Sequence, residues 1–129
     1  MRDYMRRKTK YVLPRTVYHQ ALWKIRDYYR LSEEARAIID DSPAPPDGQP
    51  GAHGKTTDVV ASKAEKREEI MDEIKKIDSA LNMIPQEYRR GVWMNVHWGT
   101  RFPVDASRET YSRYKSKLIY YVAENFGLI

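Results

Sequence analysis

Cysteine is missing from all 129 residues, so neither a disulfide framework nor a thiolate zinc site can hold this chain together. Long apolar runs are missing as well. None approaches the ~20 residues of a membrane span, and no charged-then-apolar leader with a small-residue cleavage site is visible. The expectation is a cytoplasmic protein with no membrane contact. Catalytic signatures are equally scarce. No glycine-rich loop is followed by Lys-Ser or Lys-Thr, and Gly48, Gly51 and Gly54 lie among prolines rather than between a strand and a helix. His19, His53 and His97 stand far apart with no partner at ligand spacing, and no serine sits in a nucleophile-elbow pattern. The carboxylates of residues 61–83 each have a basic neighbour. The reading is a non-enzyme with no cofactor and no metal.

What is present is charge, unevenly spread. The net charge is +5, but residues 1–30 carry +7, residues 31–60 carry −4, residues 61–84 carry −1 and residues 85–129 carry +3. Basic ends around an acidic middle raise the local concentration of a polyanion and release its counterions; the same net charge also serves plain solubility. A chain of this length forms one domain, or a small domain with an extension, and part of its apolar surface can need a second protomer.

Residues 1–12, MRDYMRRKTKYV, place Arg6, Arg7, Lys8 and Lys10 between Tyr4 and Tyr11 with no helical apolar spacing, and read as a basic arm. Such arms follow a phosphate backbone or lie in a minor groove; a solvated terminus is the bland equivalent. Pro14 suits a first helical turn, and from there one long helix is expected to run to about Asp41. Tyr18, Ile25, Ser32 and Ile39 repeat every seven, beside Leu22, Tyr29 and Arg36 and beside Ala21, Tyr28 and Ala35, a seam of mixed quality. Residues 42–58 hold four of the seven prolines and three of the six glycines, and read as an exposed linker. A second long helix is expected over 61–83, opened by a Ser62–Glu65 capping box. Its stripe Ile70, Ile74, Ile77, Leu81 and Ile84 either packs on the first helix, giving an antiparallel hairpin over 13–84, or forms a partner interface. Pro85 to Trp98 reads as a third helix with Tyr88, Val92, Trp93 and Val96 inward. Gly99–Asp105 reads as a turn or a very short helix.

The last helical stretch, residues 107–122, SRETYSRYKSKLIYYV, organises the rest. Tyr111, Tyr114, Leu118, Ile119 and Val122 fall at steps of three and four and make one face. Ser107 suits an N-cap, and Gly127 suits a stop. Tyr120 and Tyr121 cannot both point inward. The opposite face offers Ser107, Arg108, Glu109, Ser112, Arg113, Ser116 and Lys117. Long donors, small hydroxyls and one acceptor are what a helix entering a major groove requires, and they are also common on solvated helices.

The segment from Ile84 to Val122 resembles the C-terminal helix-turn-helix, region 4, of bacterial sigma factors, and more closely the small region-4-like phage regulators of the ArpU/RinA type. Ile84-Pro85 matches the Leu-Pro that opens that module and is followed by Tyr88-Arg89. Ser107-Arg108-Glu109-Thr110-Tyr111-Ser112-Arg113-Tyr114 follows the family's Ser/Thr-Arg-Glu pattern, with Leu118, Ile119 and Val122 on its later apolar positions. The resemblance covers about a third of the chain. It implies that Arg108, Glu109, Ser112 and Arg113 contact a major groove, the arginines gripping guanine or phosphate and the carboxylate accepting from a cytosine amine. One departure stands out: the family places a full helix between the opening and recognition helices, and residues 99–106, GTRFPVDA, are too short for it.

Taken together, these features predict an all-α protein: a basic arm, a long antiparallel helical hairpin and a helix-turn-helix-like module over 85–129. The expected function is sequence-specific reading of double-stranded DNA as a phage or prophage transcription regulator, a homodimer in the nucleoid of a bacterial host, with the hairpin dimerising or touching RNA polymerase. The alternatives are a small-terminase-like DNA-recognition subunit of phage packaging, which would form a ring, and a helical adaptor with protein partners only.

Overall fold

The computed structural model describes residues 11–41 and 53–129. Among the described residues the chain is all-α, with no strand. The helices are α1 (Arg15–Arg26), α2 (Tyr28–Asp41), α3 (His53–Asn82), α4 (Gln86–Trp98) and α5 (Arg108–Asn125). None of them is long and apolar enough to cross a membrane.

Three expectations require correction. The single helix expected from Pro14 to Asp41 is interrupted at Asp27, whose amide is shared between the carbonyls of Trp23 (3.0 Å) and Lys24 (3.3 Å) as the last turn tightens. Inward positions Ile25, Tyr28, Leu31, Ala35 and Ile38 continue in steps of three and four across the break, so periodicity carries no mark of it. The core accordingly uses Leu31 and Ala35, and Ser32 of the expected heptad row is only half-buried, bonding its Oγ to the Tyr28 carbonyl at 3.0 Å. The linker of 42–58 is also too long, because α3 begins at His53. Between Gly54 and Pro85 the sequence holds no proline or glycine to prevent a helix. Ser62 and Glu65 consequently lie inside α3, both exposed, and no capping box forms there.

The chain divides into two compact units. One comprises Tyr28–Lys75, in which Leu31 and Ala35 of α2 meet Ile70 and Ile74 of α3, flanked by Tyr28, Ile38 and Met71. Lys66 lies 3.6 Å from Glu34 at its surface. The other unit joins α1 to Lys76–Ile129. Its core takes Ala21, Leu22 and Ile25 from α1, Ala80 and Ile84 from the end of α3, Val92 and Val96 from α4, and Tyr111, Leu118, Ile119, Val122 and Ala123 from α5. Each α5 residue in that set falls on the spacing expected of one helical face plus its neighbour Ala123. Ile70, Ile74 and Ile77 are buried within the chain and Leu81 is half-buried against the core, so the stripe is spent on internal packing and is not an exposed interface.

The joints are specific. Arg89 donates from Nε to the Ile84 carbonyl at 2.7 Å and from Nη2 to that of Asn82 at 3.0 Å, satisfying free acceptors at the end of α3. Gly99 closes α4 at φ +66°, its amide returning to Asn95 at 2.8 Å. Gly127, at φ +70°, closes α5, with Leu128 bonded back to Ala123 (2.8 Å) and Gly127 to Glu124 (3.1 Å), a Schellman arrangement. Beside it the ammonium groups of Lys24 and Lys76 lie 5.0 and 5.1 Å from the centre of the Phe126 ring.

Candidate functional site

The site is built on the first half of α5. Ser107 is its N-cap: the hydroxyl accepts the Thr110 amide at 3.1 Å and meets the Thr110 hydroxyl at 2.8 Å. Glu109 occupies the first turn, where its charge complements the helix dipole. The inward side is held by stacked rings. Tyr88 of α4 stacks on Tyr114 at 4.8 Å and meets Tyr111 edge-on at 5.4 Å, while Phe102 of the connecting turn stacks on Tyr111 at 5.3 Å.

Tyr111 is the keystone of the turn. It is 1% exposed, and its hydroxyl donates to Asp105 Oδ1 at 2.5 Å. That bond, then burial, then the nearby Asp105, Tyr88 and Glu87 push the phenol up to about 12. Gly91 completes the fit. A Cβ at this position would lie 2.7 Å from both Pro103 Cδ and Tyr111 Cε1, so α4, the turn and α5 approach as closely as they do only because residue 91 has no side chain.

With α5 fixed from within, Ser107, Arg108, Glu109, Ser112, Arg113 and Ser116 are all exposed on one side, and Lys117 is half-buried. Lys117 Nζ lies 5.3 Å from the ring centres of both Tyr11 and Tyr114, and the Arg113 guanidinium 5.6 Å from Tyr114, contacts that hold the cations against flat π faces. Tyr11, assigned from sequence to the arm, therefore belongs to the folded unit. It meets Tyr120 and Tyr121 edge-on at 5.2 and 5.9 Å, its hydroxyl 3.4 Å from that of Tyr121. Tyr120 and Tyr121 are both half-buried around it. Arg6, Arg7, Lys8 and Lys10 lie outside the described residues.

Residues 99–107 contain no helix, so α4 itself is the helix that precedes and supports α5. An open cleft of about 760 Å³ beside this turn is lined by Asn95, Arg101, Phe102, Val104 and Arg108 among others. It brings Arg101, which the sequence reading left out, alongside Arg108. Asn95 donates to the Thr100 carbonyl at 2.7 Å and braces the turn. On the other flank of α5, Lys115 is held below its ordinary value by burial first and by the Arg26 charge second. His97 is lowered by the same two causes in the same order. That cationic neighbourhood joins residues 26, 97 and 115, and no sequence spacing signals it.

Among the described residues no group of acidic, histidine or cysteine side chains is placed to hold a metal ion. Compared with known family models, curated proteins and solved structures, the chain has no match.

Proposed function

We propose that this chain reads duplex DNA with α5 and regulates transcription, as a phage- or prophage-encoded homodimer. The observation that carries this reading is the single exposed face of Arg108, Glu109, Ser112, Arg113 and Ser116 on a helix whose opposite side is locked into a core. A helix presented in this way keeps its long donors free for base edges and phosphates, while small Ser112 and Ser116 permit close approach. Arg101, beside Arg108 in the turn cleft, adds a phosphate contact of the kind that fixes register. Two half-sites read by a dimer supply the affinity a single short helix lacks. A protein-only adaptor would have presented the Ile70–Leu81 stripe, and that stripe is packed inside the chain. A packaging subunit would differ by assembling into a ring, which sedimentation distinguishes from a dimer.

The test is selection of bound sequences from a random duplex pool at near-physiological salt, with wild type beside an Arg108→Ala/Arg113→Ala double variant. Wild type is expected to enrich one motif, palindromic for a dimer, and the variant to lose it. Arg108→Ala alone should cost roughly 1–3 kcal/mol of binding and relax preference at one base pair. Equal enrichment by both proteins, or none by either, sinks the proposal.

A further inference from the structure

Val104, in the turn between α4 and α5, is fully exposed, so its side chain adds nothing to the core. A lone exposed valine is ordinary on a protein surface. This one is set apart by how firmly it is held. On its N-terminal side the Phe102 ring stacks on Tyr111 at 5.3 Å, and Pro103 packs against Gly91. On its C-terminal side Asp105 accepts the Tyr111 hydroxyl at 2.5 Å, and Ser107 caps α5. Asn95 braces the start of the turn through the Thr100 carbonyl at 2.7 Å. Valine itself has one side-chain torsion, stiffened by branching at Cβ. An apolar tip is thus fixed in water, and little freedom is lost when a ligand meets it.

Its neighbours indicate the kind of ligand. Arg101 and Arg108 flank Val104 in sequence, line the same open cleft and are both exposed. Among the described residues neither guanidinium enters an ion pair or a side-chain hydrogen bond. Two unpaired cations around an apolar tip suit a polyanion that also offers apolar groups. The major groove of a duplex is such a surface. Thymine projects its C5 methyl there, whereas cytosine shows an amine donor and the purines show polar edges. An acidic protein segment would satisfy the arginines, but valine is a poor anchor for a protein interface, where Trp, Tyr and Arg dominate. Arg108 is the first residue of α5, the end of a reading helix that meets base edges. Since Val104 shares a cleft with Arg108, a groove that admits one brings base edges to the other.

We propose that Val104 is a specificity-determining residue outside the helix, packing on the C5 methyl of a thymine beside the base pair that Arg108 grips, while Arg101 holds a neighbouring phosphate. The contact selects thymine without a hydrogen bond, because only the methyl distinguishes it at that point of the groove. This inference rests on the reading role of α5 and adds to it a base preference that the helix alone does not supply.

The experiment takes the duplex selected by the full chain and replaces its thymines with deoxyuridine one at a time. Each replacement removes a methyl and leaves the base pair's hydrogen bonds and the phosphates in place. One of them is expected to weaken wild-type binding about 4-fold, the worth of one buried methyl. Val104→Ala, which withdraws both γ-methyls, should bind the thymine duplex about as weakly and no longer distinguish it from the deoxyuridine duplex. Its unfolding midpoint should match wild type, since the side chain is exposed, so misfolding cannot mimic the effect. Arg101→Ala should instead weaken binding to all duplexes alike, lower the salt slope by about 1 and keep the thymine preference. If the selected motif lacks thymine, if no replacement matters to wild type, or if Val104→Ala keeps the full discrimination, the proposal fails while reading by α5 stands. It fails too if Val104→Ala weakens binding but leaves the thymine-to-deoxyuridine ratio unchanged, because the valine then touches the backbone. Absence of any selected motif overturns the roles of α5 and Val104 together.

Discussion

Gly91 and Tyr111 decide how the turn before α5 is built. A Cβ at residue 91 would overlap the Pro103 ring and the Tyr111 ring at 2.7 Å each, and neither ring has a flexible end that can swing aside. Gly91→Ala should therefore destabilise the fold by about 1–3 kcal/mol, the usual range for overpacking, even though alanine is the better helix former. Denaturant unfolding checks this. Tyr111 supplies a pH signature. Its phenol is raised from 10.0 to about 12, first by the bond to Asp105, so an unfolded chain loses this proton before the native one does. The stability contributed by Tyr111 is complete below pH 10 and is lost as pH rises through about 12. A Tyr111→Phe variant should show a flatter fall in melting temperature across that alkaline interval. Neither residue was fully legible in the sequence. The spacing put Tyr111 on the inward face, where it is, but Gly91 lies in a helical run where nothing local demands a glycine. Its reason is a neighbour 12 residues away in sequence at Pro103.

Among the elements, α5 was the most legible, because three signals agree on it: apolar steps of three and four, a serine cap and a terminal glycine. The cap is a direct target. Ser107→Ala removes the acceptor of the Thr110 amide at 3.1 Å and should cost about 1 kcal/mol, with Ser107→Asp retaining most of it. Calorimetry of both variants distinguishes loss of the cap from loss of bulk. The start of α3 and the break after α1 were the least legible. Proline and glycine mark where a helix cannot continue, and between Gly54 and Pro85 neither occurs, so nothing in the composition keeps residues 55–58 out of α3. At Asp27 the reverse applies: the inward spacing persists, and only the tightened turn reveals the end of α1. The stripe is legible as apolar, but the sequence leaves its cover open between the first helix and a partner, since a periodic face does not say whether its cover comes from the same chain; within the chain Ile70, Ile74 and Ile77 are buried.

At the scale of the molecule, the candidate reading face and the first described residues meet, with the Tyr11 ring against Lys117. Tyr11, the first described residue, thus lies beside the proposed DNA surface. Deleting residues 1–10 should weaken binding to every duplex alike and flatten the dependence of affinity on salt, leaving the selected motif unchanged. Measuring affinity for specific and random duplexes across a salt series tests this, and an unaltered slope would remove the arm from the DNA contact. The core of the same unit draws Ala21, Leu22 and Ile25 from near one end of the chain and Leu118, Ile119, Val122 and Ala123 from near the other. Contacts so distant in sequence form late, because a long loop must close before they reward it. During synthesis α1 emerges first and waits, its apolar face uncovered, until α5 has left the ribosome; a chain stalled anywhere before residue 108 is therefore exposed to chaperones and proteases with no complete core to hide it.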